Sequence, residues 1–510
     1  MSLVENPRKM LNYPKLLSSG SGGQVFDKLF RWTKRSKEHG EGNTENSQAL
    51  AYPSDSIFHS RSVLDAPADI ASRLRDTYQP SHINLLPPEI LSEIFIRFLP
   101  DDNLLRGPHY PKRETPVLLT HVCGYWRDVA LSLGIIWSSF SVNIYRHDVS
   151  SMTEALCTWL QRSQAQPLTF RLISMELVPV LLPHVHHWQH IELIVKVENA
   201  EHVLALPLAS ASALRSIRAD VKSCSVQILD KVVSLVQSVP TLRQLSWYCC
   251  EQTPTALLDA SFSHLTHIFL AFPIRLDQFV SFLSGCEQLT HIVAKLLKPP
   301  RMPMTDTVVV LPHLVSLDVK CAENMPDLLD HLTLPSLLRL RLEELTKIRV
   351  SYGKHQTLAS LIARSSCKLE TLELHDFEMT EDDLIGYLTL PCLQYIQEID
   401  FLIRNFSERA VGLLTYHKPD LGRRNIFPRL TRLRVRFCTA LDGLFSEMVA
   451  SRWAPTRRPC EGDEPASLRF VKVKFSSAAW TIGPVPPHDM DIARFKEFMD
   501  CGLDIRYRDP

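Results

Sequence analysis

A short apolar signature recurs along the second half of the chain, and it restricts the possible fold more than any other feature. It reads Leu242-x-x-Leu245, Leu265-x-x-Ile268-x-Leu270, Leu289-x-x-Ile292 and Leu314-x-x-Leu317-x-Val319. It returns as Leu337-x-x-Leu340-x-Leu342, Leu369-x-x-Leu372-x-Leu374, Leu430-x-x-Leu433-x-Val435 and Leu468-x-x-Val471-x-Val473. Most steps from Leu242 to Leu337 are about 24 residues, a spacing found in strand-and-helix repeats. The later steps are longer, so the last repeats carry insertions. Each copy alternates at its centre with the period of a β-strand. Helical stretches lie between copies at 225–238, 277–284 and 357–363. Strands alternating with helices pair in parallel through helical crossovers. One such unit cannot bury its own apolar face, so neighbours must stack. The expected fold class over residues 141–510 is thus an α/β solenoid with parallel strands. A helix at 491–499 and a strand at 502–505 form its expected cap. Cys250 and Cys438 follow their strands where such repeats place Asn or Cys, which predicts buried turn positions.

Upstream, residues 1–82 show no such pattern. Ser18–Gly23 is a Gly/Ser stretch, and Lys37–Gln48 is polar without periodicity. Both compositions fail to supply a packed core, so this region is expected to be mostly disordered. Its first residues have scattered charges and no continuous apolar run of the kind a secretory signal needs. Nowhere does the chain approach the roughly 18 consecutive apolar residues of a membrane-spanning helix. The twelve cysteines are therefore expected as reduced thiols in cytoplasm or nucleus. A formal net charge of +0 and a pI near 7.3 argue against a nucleic-acid-binding footprint and against a polybasic membrane anchor.

Between these regions, residues 87–99 have helical spacing. Pro87 and Pro88 fit the first turn, and Glu89 favours the positive end of the helix dipole. Ile90, Leu91, Ile94, Phe95 and Phe98 form a broad apolar stripe. A Pro-, Arg- and Lys-rich loop follows to about Pro116. Helical spacing then resumes through Leu118, Val122, Trp126, Val129 and Leu133, with Gly134 as a stop. Two short helices cannot cover both stripes, so something else must cover part of this surface.

The segments Leu86-Pro87-Pro88-Glu89-Ile90-Leu91 with Ile94-Phe95, and Val122-Cys123 with Trp126-Arg127, Ala130 and Trp137, resemble the two halves of an F-box. The resemblance covers residues 83–140 and is of the kind common in mushroom-forming fungi, whose F-box proteins often carry a long insertion between the halves. The body resembles leucine-rich repeats. Together they imply a short all-helical F-box module that docks on a Skp-type adaptor and through it on a cullin, followed by repeats that bind a protein substrate. The resemblance assigns adaptor contact to Leu86, Pro87, Ile90, Leu91, Ile94, Phe95, Leu118, Val122, Cys123 and Trp126. The implied function is that of a substrate-recognition subunit of a ubiquitin ligase, non-catalytic itself. The alternative is a ubiquitin-independent repeat scaffold.

The chain has no phosphate-binding G-x-x-x-x-G-K-[ST] loop, no H-E-x-x-H, no C-x-x-C and no G-x-S-x-G elbow. His184, His186, His187 and His190 are the one metal-like cluster, and they read as surface histidines straddling a loop and a strand start. Adjacent Cys249 and Cys250 have poor geometry for a disulfide. No catalytic residue, cofactor or metal is expected. For substrate contact, the positions beside the repeating leucines should face solvent. Among them Arg339, Arg341, Glu373, Arg432 and Arg434 are the charged candidates, with the arginines suited to acidic or phosphorylated segments. The competing expectation is that the arginines pair with neighbours such as Glu343 and Glu373.

Overall fold

A computed structural model describes residues 86–97, 116–142, 148–249, 254–300, 308–322, 325–345, 354–417, 425–453, 466–476 and 487–508. The N-terminal 82 residues, the insertion at 101–115, Phe98, Leu99 and Cys250 lie outside them, with the expectations placed there. The chain forms two compact units. The first contains the described residues up to Ser141 and Ser150–Gln166; the second contains the described residues of Val142–Val149 and of Pro167–Pro510. The sequence division assigns 150–166 to the repeat body, whereas they group with the first unit.

The first unit is helical, with one short strand, β1 (Ser139–Val142). Its first helix spans Pro88–Arg97 and buries Leu91 and Phe95. The predicted second helix is broken in two, at Val117–Thr120 and Gly124–Ser132. The break has a local cause. Cys123 is extended, at φ −158° and ψ 173°, and its Sγ accepts the Trp126 N–H, so it caps the second piece. A 3₁₀ turn at Gly134–Trp137 follows, then a helix at Val149–Ser163. Phe95 and Trp126 pack with ring centroids 5.1 Å apart, and Trp137 meets Trp159 edge-on at 4.9 Å. The Trp137 indole N–H donates to the Ala130 carbonyl at 2.8 Å, so a buried polar atom is satisfied.

The second unit is mixed α/β, with a large parallel sheet. Its strands are β2 (Leu168–Leu172), β3 (Trp188–Val195), β4 (Ser216–Val221), β5 (Gln244–Cys249), β6 (His267–Ala271), β7 (Ile274–Arg275), β8 (His291–Lys298), β9 (Val309–Val310), β10 (Ser316–Cys321), β11 (Leu332–Thr333), β12 (Arg339–Glu344), β13 (Thr371–Asp376), β14 (Glu398–Phe406), β15 (Arg432–Cys438), β16 (Phe470–Phe475) and β17 (Asp504–Arg508). From β2 to β17 the strands of the main sheet follow chain order; β7 joins β8 at its side, and β9 pairs with β11 separately.

Register explains the recurring signature. Leu245, Ile268, Ile292, Leu317, Leu340, Leu372, Ile399, Leu433, Val471 and Ile505 are successive cross-strand partners. All are buried. The residue after each leading leucine continues the ladder outward: Thr266 donates to Arg243, Thr290 to Thr266, Val315 to Thr290 and Leu338 to Val315. Each repeat thus hangs by backbone from the one before. Helices cover the apolar side. The helix Val226–Gln237 buries Leu229, Val232, Val233 and Val236, one stripe at helical spacing, and Ser225 caps it by accepting the Ile228 N–H. The predicted helices at 277–284 and 357–363 appear as Leu276–Ser284 and Lys354–Ser365. The expected end units appear as a helix at Asp489–Asp500 and as β17. Cys438 is fully buried as expected, but it is the last residue of β15, paired with Phe406 and Phe475, and not a turn residue beyond the strand.

Within the second unit, two arginines bolt successive repeats together. Arg364, in the last turn of its helix, donates to the carbonyls of Leu329 at 2.7 Å and Leu332 at 2.8 Å. Arg452, in the last turn of the helix Leu444–Arg452, is fully buried and donates to Phe427 at 3.0 Å, to Ile426 at 2.7 Å, and to Leu414. Each satisfies carbonyls at the end of the preceding helix or at the approach to the next strand, where the chain would otherwise leave acceptors orphaned. No helix among the described residues is long and apolar enough to cross a membrane.

Candidate protein-interaction surfaces

In the helical unit, the residues assigned to adaptor contact divide into two groups. Leu91, Phe95 and Trp126 are buried in the unit's own core and cannot meet a partner while it is folded. That corrects their assignment as docking residues: the broad stripe is largely consumed by packing. Ile90 is 51% exposed and Val122 46% exposed, and Pro87 is exposed too. Leu86, Ile94, Leu118 and Cys123 are half-buried. Ile90 and Ile94 stand one turn apart on the same helix face. The Leu86 carbonyl accepts the Tyr125 hydroxyl at 2.7 Å, which fastens the start of this helix to the later one. Val122 is exposed because the break at His121–Cys123 turns it outward, a feature that helical spacing alone could not show.

In the sheet, every second strand residue points away from the buried leucines and lies in register with its neighbours. One such row runs Arg171, Glu192, Arg218, Ser246, Phe269, Val293, Asp318, Arg341, Glu373, Asp400, Arg434, Lys472 and Arg506. At its start, Glu192 lies between Arg171 at 2.7 Å and Arg218 at 3.4 Å. The Arg218 guanidinium sits over Tyr248 at 4.2 Å, and Tyr248 stacks on Phe269. In the adjacent row, His267 and His291 stack at 4.3 Å, and each ring has its own preceding threonine hydroxyl at 2.9 Å from Nδ1. Burial lowers the pKa of both, His267 further through His291 and His291 through Arg339. The face therefore begins with aromatic and weakly basic groups.

Its centre is a charge network. Arg341 is 3.5 Å from Glu343, 3.6 Å from Glu373 and 3.9 Å from Asp318, and Lys295 also reaches Asp318, at 2.9 Å. Arg341 is also 3.3 Å from His375 Nδ1. Arg436 holds Asp400 at 3.2 Å, and His375 Nε2 stands 3.8 Å from the other Asp400 oxygen. Burial works to raise the Asp400 pKa, but the nearby His375 and Arg436 outweigh it and hold the carboxyl low. Glu373 goes the other way, raised by its burial and by Asp400 against the pull of Arg341. Arg432 at 3.5 Å and Arg434 both pair with Glu398.

These contacts correct the view of Arg341, Arg432 and Arg434 as uncommitted basic groups. Cross-strand register sets carboxylates beside them, and the competing expectation of pairing is the one met. Of the five candidates, Arg339 is exposed and makes no ion pair among the described residues. Sequence reasoning missed Lys472, Lys474, Arg506 and Arg508 at the far end of the same face, all exposed. Their signal was present in the alternation of Phe470–Phe475 and Asp504–Arg508, but their convergence depends on register.

Glu373, His375 and Asp400 bring ligand-type atoms within 4.8 Å of one another, as do Asp442, His488 and Asp491. Arginines hold the first group, and the second serves helix ends. His184, His186 and His187 lie on a 3₁₀ segment at Leu182–His187, and His190 is in β3. Burial pushes the Cys286 and Cys438 thiols up to about 12 and raises Cys321 as well, so these supply no thiolate nucleophile near neutrality.

No protein family matches the sequence, and no curated protein matches it. Among solved structures, the crystal structure of a protein from Bacteroides fragilis is 13% identical with a TM-score of 0.34, covering 55% of this chain and 74% of that one.

Proposed function

We propose that the chain is the substrate-recognition subunit of a Skp–cullin–F-box type ubiquitin ligase, with residues 83–140 as an F-box module and the repeats as a leucine-rich-repeat solenoid. The observation that carries the reading is the sheet. Its strands follow chain order, its leucines are spent on the core, and its opposite face carries varied polar and aromatic side chains in continuous register. Such a surface recognises a partner without performing chemistry on it. The helical unit supports the second half of the reading through the F-box-like segments and through Ile90 and Val122, large apolar groups left in water beside a packed core. The subunit accelerates ubiquitin transfer by raising the local concentration of its target, which requires no catalytic residue.

The test is affinity purification of the tagged full chain followed by mass spectrometry, with and without proteasome inhibition. The expected result is recovery of a Skp-type adaptor and a cullin. Target proteins should accumulate on the bait when the proteasome is blocked. Recovery of partners without adaptor or cullin would instead support the repeat body as a ubiquitin-independent scaffold.

A further inference from the structure

The last three strands carry two parallel rows of cations. Arg434, Lys472 and Arg506 are successive cross-strand partners, and so are Arg436, Lys474 and Arg508. Carboxylates answer only part of this charge. Glu398 serves Arg432 and Arg434, Asp400 serves Arg436, and Asp504 lies 3.4 Å from Arg506. Lys472, Lys474 and Arg508 are exposed and have no carboxylate partner among the described residues. Phe470 gathers the arginines of this end. Three guanidiniums converge on its ring, from Arg432 at 4.8 Å, Arg434 at 5.2 Å and Arg506 at 5.4 Å. Each gains from the ring face and already has a carboxylate beside it, so the unanswered charge of this end lies on Lys472, Lys474 and Arg508.

We propose that this end of the polar face binds an extended acidic segment of a partner protein, with acidic side chains at alternating positions. The proposal rests on the reading of the face as a partner-binding surface and is independent of the adaptor. The geometry selects the ligand. Cations two residues apart on one strand are separated by roughly 6.8 Å, and strands by about 4.8 Å. An extended peptide running along the strands repeats its side chains on one side at that same spacing of roughly 6.8 Å. Acidic groups at i and i+2 therefore meet the Arg434 row and the Arg436 row together, whereas consecutive acidic residues point to opposite sides. Arginine forks match carboxylate and phosphate alike. A long polyanion fits less well. The patch is only three strands wide, and Glu343, Glu373 and Asp400 border it on the strands before.

Fluorescence anisotropy with the purified full chain tests this. The probes are short labelled peptides with glutamate at every second position, with the same number of consecutive glutamates, and with phosphoserine in place of the alternating glutamates. A single-stranded oligouridylate of equal charge is the fourth probe. The alternating peptides should bind more tightly than the consecutive one, and more weakly as salt rises. A phosphoserine form stronger than the glutamate form would identify modified segments as the source of the anion. Lys472→Glu with Lys474→Glu should weaken binding by about tenfold or more, since charge-assisted contacts are lost and repulsion replaces them. Lys472→Gln with Lys474→Gln should weaken it less, and both pairs should keep the wild-type melting temperature. Equal binding of the alternating and consecutive peptides, unchanged binding by the Glu variants, or preference for the oligouridylate would each overturn the assignment. Adaptor recovery by the same variants separates the two ideas. A chain that recovers adaptor but ignores the peptides sinks this proposal alone, and one that binds the peptides without adaptor sinks the ligase reading alone.

Discussion

Asp442 and Asp491 tie two helix starts together. The Asp442 carboxylate accepts the Asp491 N–H at 3.0 Å and the Met490 N–H at 3.1 Å, in the first turn of the helix Asp489–Asp500. Asp491 in turn accepts the Ser446 N–H at 2.7 Å, in the first turn of the helix Leu444–Arg452, while its other oxygen meets His488 Nδ1 at 3.1 Å. Asp491 is fully buried, so these partners are what make its charge tolerable.

This arrangement predicts an acid-sensitive joint. Burial alone would raise the Asp491 pKa, but the bonds from His488 and Ser446 hold it below the ordinary carboxylate value. A carboxylate depressed in the folded state stabilises fully above its unfolded pKa of about 3.9, and that stabilisation is lost as pH falls through the lower folded value. Asp491→Asn should lower stability near neutrality and lose less on acidification than the wild type. Melting curves at neutral and acidic pH check both points; equal acid sensitivity of the two proteins would refute the assignment.

Arg452 offers a second test. Its fork serves three carbonyls, and burial lowers its pKa to about 10. Arg452→Lys keeps a charge but not the fork, leaving buried acceptors unserved at about 1–3 kcal/mol each. The more open Arg364→Lys should cost less. Denaturant unfolding of both variants measures the difference, and a smaller loss for Arg452→Lys would count against the bolt.

Exposure separates docking from folding in the helical unit. Ile90→Asp with Val122→Asp should abolish adaptor recovery without changing the melting temperature. Phe95→Asp places a charge at a fully buried site and should unfold the unit, so it reports on stability and not on docking. Undiminished adaptor recovery by the Ile90/Val122 pair would remove these residues from any interface.

Gly134 is fixed by a close approach. A Cβ there would stand 2.8 Å from the Ser163 carbonyl oxygen, a backbone atom that cannot swing aside. Gly134→Ala should therefore destabilise the helical unit by about 1 kcal/mol or more. A melting temperature equal to wild type would show that the helix Val149–Ser163 can shift.

Much of the sheet was legible because leucines at fixed offsets mark strands that share one core. Copies escaped where other residues fill those offsets, as in Trp188-x-x-Ile191-x-Leu193 and Ile396-x-x-Ile399-x-Phe401, all buried. The break at Cys123 escaped because a thiol replaced the usual capping oxygen. The surface was less legible than the core. Arg341 reads as one of a basic pair along its own strand, but its partners Asp318 and Glu373 come from the strands on either side. The basic end escaped because the chain as a whole is neutral, which hides an uneven distribution of charge.

Along the main sheet, chain order and spatial order coincide from β2 to β17, with the short β7, β9 and β11 outside this path, so each of its strands is paired only with the sheet strands just before and after it. A pull on the C-terminal end would load β17 against β16 alone, with its ladder bonds sheared before those of the next strand. Mechanical unravelling should therefore proceed as a train of small yielding events along the polypeptide. A single global rupture belongs to folds whose terminal strands are clamped between distant segments.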